Sequence, residues 1–175
     1  MNVTANLHDS TKDAREQLNL VLGFFPRVDA KASVVLAINS GTLAVLASNA
    51  PPWGSIPIWS IIAPSITLLM IGGSFWFLYR VSFPTLSGGQ QSLIYFREIA
   101  NRTESRFIDE FTAQDEKGRL RDVLGQVWRN SEILKMKFDA LRWAFVLMAV
   151  SLVPWVVSVF LFSAHNAGAR SLFAR

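Results

Sequence analysis

An all-α integral membrane protein with three transmembrane helices is the fold class this sequence predicts, on three observations. From Ala32 to Tyr79 there is no Asp, Glu, Lys or Arg, although charges occur freely on both sides. That run holds its own turn, Asn49-Ala50-Pro51-Pro52-Trp53-Gly54. A helix needs about 20 apolar residues to cross the hydrocarbon core, so the run is long enough to cross, turn and return. A second uncharged run, Trp143 to Ala169, is long enough for one further crossing. The predicted spans are residues 32–49, 56–79 and 143–163. An N-terminal amphipathic helix precedes them, and a cytosolic helical segment over 81–142 continues as a stalk into the third span.

The 175 residues read as a single domain, 51% hydrophobic against 17% charged. The absence of cysteine excludes disulfides, thiolate metal sites and a cysteine nucleophile. Residues 1–31 are polar and mixed in charge, with no short apolar core and no small-residue cleavage site, so the first span is expected to stay in the mature protein. A pI near 9.9 invites a nucleic-acid reading, but the charge lies in the wrong places for one. Residues 1–31 carry four basic and four acidic groups, and residues 81–140 carry nine of each. The surplus is Arg80 and Arg142 at span ends, with Arg170 and Arg175 in the tail. A phosphate-binding stripe would cluster on one soluble face; this pattern marks membrane edges, and no nucleic-acid partner is expected.

Asp9, Ser10 and Thr11 read as a helix start, followed by an apolar stripe at Ala14, Leu18, Val21, Leu22 and Phe25. Pro26 disfavours helical geometry at Phe25 and is expected to bend the chain there. On the first span, Ser33, Ala37, Gly41 and Ser48 form a small-residue face that another helix could approach closely. Asn39 sits near mid-span; its amide is expected to hydrogen-bond a neighbouring helix, the alternative being a polar pathway. The second span carries Trp53 and Trp59 at one end and Trp76 and Tyr79 at the other, as interfacial aromatics. Pro64 and Gly72-Gly73 would loosen it. Residues 83–89 read as a loop whose Gly-Gly pair lacks the Lys-Ser or Lys-Thr of a phosphate-binding loop. Leu93, Phe96, Ala100, Thr103 and Phe107 carry a helical stripe through Gln90 to Gln114, broken near Asn101. Leu120, Val123, Val127, Leu134, Phe138 and Leu141 then recur at near-heptad spacing. They predict one helix from Lys117 to Phe162, roughly 70 Å long at 1.5 Å per residue.

With the N-terminus inside, fifteen basic residues face the cytosol, the hairpin between the first two spans has none and the tail has two. The positive-inside rule therefore predicts a cytosolic N-terminus and an external C-terminus.

The inventory for catalysis is poor. His8 and His165 fall on opposite sides of the membrane in this topology. No nucleophile elbow, metalloprotease helix, dinucleotide fingerprint or metal cluster is present, and no ionisable residue lies deep in a span. Neither an enzyme nor a transporter is expected, and neither a cofactor nor a metal. Asp29-Ala-Lys31-Ala-Ser33 at the mouth of the first span admits two readings. Lys31 can obey the positive-inside rule with Asp29 balancing it, or it can form an anion-binding corner with Lys135, Lys137 and Arg142.

Leu22-Gly-Phe-Phe-Pro-Arg-Val-Asp29-Ala-Lys31-Ala-Ser-Val-Val-Leu-Ala-Ile-Asn39 resembles the start of the Pycsar effector domain. Tyr95-Phe-Arg-Glu-Ile-Ala100, Leu120-Arg-Asp122-Val-Leu-Gly-Gln126-Val and Ile133-Leu-Lys135-Met-Lys137-Phe138-Asp-Ala-Leu-Arg142 extend the similarity. It covers roughly Leu18 to Leu161. The resemblance implies a bacterial anti-phage effector answering a cyclic pyrimidine mononucleotide, cCMP or cUMP, made by a neighbouring cyclase. The response it implies is impairment of the inner membrane, ending in abortive infection. Its expected partners are that nucleotide, membrane lipids and further copies of the chain in a homo-oligomer. A monoanionic phosphate calls for Arg or Lys and a pyrimidine for a stacking face. The candidate ligand residues are therefore Asp29, Lys31, Tyr95, Arg97, Lys135, Lys137 and Arg142, with Phe96 as an alternative stacking ring. The competing reading is a nucleotide-independent membrane scaffold or small oligomeric pore.

Overall fold

The computed structural model describes residues 3–52, 58–83, 89 and 91–173, and among them every regular element is helical. In order these are α1 (Val3–Leu22), α2 (Phe25–Asn49), a 3₁₀ turn (Ile58–Ile61), α3 (Ile62–Ser82), α4 (Phe96–Ala100), α5 (Glu104–Ala113) and α6 (Glu116–Phe173). Three helical stretches, within Asn6–Asn49, Ile62–Ser82 and Glu116–Gly168, are long and apolar enough to cross a membrane. Trp53 and loop residues 84–88 lie outside the described residues.

Several boundaries differ from those predicted, each for a local reason. α1 starts at Val3, so Ser10 and Thr11 do not cap it: their hydroxyls donate one turn back to the Asn6 and Leu7 carbonyls, at 2.8 and 2.9 Å, within a helix already under way. The break before Pro26 falls at Gly23-Phe24, and Pro26 then sits in the first turn of α2, where a missing N–H leaves nothing unpaired. Pro64 likewise sits in the first turn of α3 and does not loosen the span, and Gly72-Gly73 lies within unbroken helix. Residues 91–95 are not helical, so the stripe predicted from Gln90 begins only at Phe96; the break near Asn101 is where expected. α6 runs past Phe162 to Phe173. Asn166 Nδ2 donates to the Asn49 carbonyl at the end of α2 at 3.1 Å, a contact that supports the extra turns. Its 58 residues give a length of about 87 Å at 1.5 Å per residue.

The chain divides into two compact units. One comprises Met1–Val28 with Pro84–Lys137, the other Asp29–Phe83 with Phe138–Arg175. In the first, Thr11, Ala14 and Val21 of α1 are buried, as are Val123, Gln126, Ile133 and Lys137 of α6. The inward face of α6 is thus shifted from the predicted stripe: Ile133 and Lys137 are buried, while Phe138 is 39% exposed. Lys137 is tolerated there because its ammonium lies over the Phe25 ring, 5.5 Å from the centroid.

The second unit is arranged as a membrane bundle. Buried positions recur every three or four residues, at Ala32, Val35, Asn39, Thr42 and Leu46 on α2, and at Thr67, Ile71, Ser74, Leu78 and Val81 on α3. Large apolar side chains such as Leu69, Trp76, Val153 and Phe160 point outward, at 61–79% exposure. An interior of small and polar groups beneath an apolar exterior is how helices pack in lipid. Asn39 Nδ2 donates to Ser74 Oγ at 2.8 Å, and Ser74 Oγ donates to the Ala144 carbonyl at 2.8 Å, which joins α2, α3 and α6 through one buried chain. The hydrogen-bonding reading of Asn39 holds. The small-residue reading does not: Ser33, Ala37, Gly41 and Ser48 are all exposed, and a Cβ at Gly41 would meet nothing within 4 Å. Close approach occurs instead at Gly73, where a Cβ would meet Leu147 Cδ1 at 3.0 Å.

Candidate functional site

Two hydrogen-bonded carboxylates organise a polar cavity of about 690 Å³ in the first unit. Asp122, on α6, accepts from Ser92 Oγ at 2.6 Å and from the Leu93 N–H at 2.8 Å. Ser92 Oγ in turn accepts from the Ile94 and Tyr95 N–H groups and from Gln126 Nε2, at 3.0–3.1 Å. These bonds hold residues 92–95 as a turn leading into α4, in place of the helix their apolar pattern suggests. Gln91, at the turn's start, has a left-handed φ of 64°, uncommon for a residue with a side chain. Its N–H donates to Glu98 Oε2 at 3.1 Å.

Arg102 closes the opposite wall. Its side chain is only 9% exposed, and its guanidinium donates to Glu110 at 2.8 Å and to the Ser92 and Glu98 carbonyls at 3.2 and 2.6 Å. Arg106, 70% exposed, donates to the other oxygen of Glu110 at 2.7 Å. Those two hydrogen bonds, that from Arg106 foremost and that from Arg102 next, hold the Glu110 carboxyl below its usual range. A depressed carboxylate contributes stability that is complete above its unfolded pKa and is lost as pH falls through the folded value. Unfolding curves of the wild type and Glu110→Gln are therefore expected to differ at neutral pH and to converge only well below pH ~4.3, the ordinary glutamate pKa. A difference that vanishes at pH 6 would contradict this assignment.

Arg121 completes the lining, and no hydrogen bond or ion pair ties it to another described residue. Gly125, one turn further on, also lines the cavity, and a Cβ there would enter open space. At the foot of α6, Asp115 Oδ1 accepts from the Gly118 N–H at 2.8 Å, capping the helix; a Cβ on Gly118 would lie 2.7 Å from that oxygen. Among the described residues three guanidinium groups face two carboxylates, so this lining carries one net positive charge. With Ser92, Gln91, Gln114 and Gln126 it also offers donors and acceptors of the kind that read a base edge.

None of the seven sequence-derived candidates lines this cavity. Tyr95, Arg97, Lys135 and Lys137 belong to the same unit, and the Tyr95 and Phe96 rings meet edge to face at 5.0 Å between centroids. Asp29, Lys31 and Arg142 belong to the second unit. There Lys31 and Arg142 come together on a groove of about 490 Å³ whose other lining residues are all aliphatic or aromatic. Among the described residues no cluster of His, Asp and Glu is suited to a metal ion. His8 lies 3.5 Å from Glu116 in the first unit, and His165 lies in the second. The cavity residues were missed because their signal is spread over three short segments. Residues 89–93 and Leu120-Arg-Asp122-Val-Leu-Gly-Gln126 each place several of them close together, but nothing in the sequence joins the two stretches.

No curated protein and no solved structure matches the chain. A family model described as the Pycsar effector protein domain matches residues 13–164, from within α1 to near the end of α6 and through both compact units. With helices able to span a membrane and a match over most of its length, the chain belongs to the Pycsar effector protein domain family, a membrane protein with a role in cyclic-pyrimidine anti-phage defence alongside a nucleotide cyclase.

Proposed function

We propose that this protein is an inner-membrane effector switched on when a cyclic pyrimidine mononucleotide, cCMP or cUMP, occupies the cavity lined by Ser92, Arg106, Arg121 and Gln126. The observation carrying this reading is the one net positive charge of that lining, with Arg121 unmatched by a carboxylate. A cyclic mononucleotide is a monoanion, and charge-assisted hydrogen bonds from guanidinium to phosphate oxygens are among the stronger polar contacts. The amides of Gln91 and Gln126 suit the polar edge of a pyrimidine. Arg102, already committed to two carbonyls and Glu110, shapes the wall and leaves phosphate contact to Arg106 and Arg121. The N-terminus and the first unit lie in the cytosol, where the cyclase product accumulates, and the C-terminus lies outside. Occupied effectors assemble as homo-oligomers and impair the inner membrane, so that the infected cell stops before phage mature.

The test is titration of detergent-purified protein with each cyclic mononucleotide. One of cCMP and cUMP is expected to bind, with Arg121→Ala weakening it by roughly 10- to 100-fold, the loss of one charged hydrogen bond. Arg106→Ala should weaken it too. The seven residues drawn from sequence are the competing assignment, and the same titration separates the two. If Lys31→Ala and Lys135→Ala abolish binding while Arg121→Ala and Arg106→Ala leave it intact, the cavity is not the site.

A further inference from the structure

The groove of the second unit supports a separate assignment, independent of the nucleotide. Lys31 is the last charged residue before the first uncharged run, and Arg142 the last before the second. Contacts from Asn39 to the level of Ala144, through Ser74, and from Asn49 to Asn166 show that α2 and α6 advance in the same direction. Both uncharged runs therefore begin at one end of the unit, and the groove lies where they begin. Val34 and Ile38 continue it along α2, and Leu141 and Phe145 along α6. Val34 and Phe145 are 58% and 55% exposed, so the walls are open to an occupant. Neither Lys31 nor Arg142 makes an ion pair with another described residue. Among the described residues the lining offers two cations and otherwise hydrocarbon.

We propose that this groove binds one anionic phospholipid, its phosphate held by Lys31 and Arg142 and an acyl chain lying along Val34, Ile38 and Phe145. The charge selects an anion, and the bare walls select a chain. A pyrimidine would find no partner for its polar edge, because among the described residues the lining has no amide, hydroxyl or carboxylate side chain. Both cations stand where the charge-free runs begin, which is headgroup depth, and long basic side chains reach headgroups from such positions.

Native mass spectrometry of delipidated protein tests this, with phosphatidylglycerol or phosphatidylcholine added and no nucleotide present. One phosphatidylglycerol is expected to bind in preference to phosphatidylcholine. The Lys31→Gln/Arg142→Gln pair should weaken that adduct roughly thirty-fold, the combined effect of two basic contacts to an anionic lipid. Val34→Trp keeps both charges and should also weaken it, by filling the groove. Neither inorganic phosphate nor a cyclic mononucleotide should displace the lipid. Equal adducts from the two lipids, or an unchanged adduct in the double variant, would overturn the assignment. So would displacement by nucleotide, or a lipid-free dimer cross-linked through Val34.

Discussion

Met136→Pro is expected to yield a protein that inserts and binds nucleotide normally but no longer depolarises cells. α6 contributes residues 116–137 to the first unit and 138–173 to the second, with helical geometry unbroken across the boundary. Coupling between two sites needs an element whose equilibrium both sites bias, and α6 carries Asp122 and Gln126 of the cavity as well as Trp143–Phe162 of the third span. Proline at 136 removes the N–H bond to the carbonyl of Glu132 and clashes with that carbonyl, a cost of about 3 kcal/mol or more. Met136 is 44% exposed, so little packing is lost with its side chain. The measurement is a membrane-potential dye in cells co-expressing the cyclase, beside nucleotide titration of the purified variant. The wild type should be tolerated alone and should depolarise cells once nucleotide accumulates. Normal depolarisation by a variant that inserts and binds would rule out transmission through α6.

The second large effect is expected at Asp122. Asp122→Ala leaves the Leu93 N–H and the Ser92 hydroxyl, both buried or nearly so, without their carboxylate. Hydrogen bonds to a charged group contribute about 1.5–3 kcal/mol each. Losing both should cost roughly 3 kcal/mol after relaxation and release the turn over residues 92–95. Hydrogen exchange of the full-length protein should show the Leu93, Ile94 and Tyr95 amides deprotected by about a hundredfold, with protection in α3 unchanged. Nucleotide binding should fall with it, because Ser92 and Gln126 lose their fixed positions. Asp122→Asn, which keeps one acceptor oxygen, should lie between wild type and Ala. Unchanged protection of 93–95 in Asp122→Ala would show that the turn is held by other means.

What the sequence by itself determined follows from effects that act locally or along one helix. Forty-eight uncharged residues from Ala32 to Tyr79, and a second such run from Trp143, require apolar surroundings wherever the chain folds. The helical class and the three candidate spans therefore needed no tertiary information. Pro26 marked a helix boundary to within two residues, because a proline is best accommodated in the first turn of a helix; that Phe25 is already helical and the break lies at Gly23-Phe24 was not legible from it. The pairing faces were different. Small residues marked Ser33, Ala37, Gly41 and Ser48 as a packing face, but the hydrogen-bonding needs of Asn39 and Ser74 turned the neighbouring face inward. Side-chain volume along one helix does not say which stripe finds a partner. The non-helical turn at 92–95 was hidden for a related reason, since the carboxylate that holds it lies some thirty residues away on α6. The polar cavity is the fullest case. Arg106 meets Glu110 one turn along α5, a pairing local to the helix, but the bond from Arg102 to the Ser92 carbonyl and the gathering of residues 89–93, α5 and α6 around one cavity, with Arg121 unmatched, were decided by the tertiary structure.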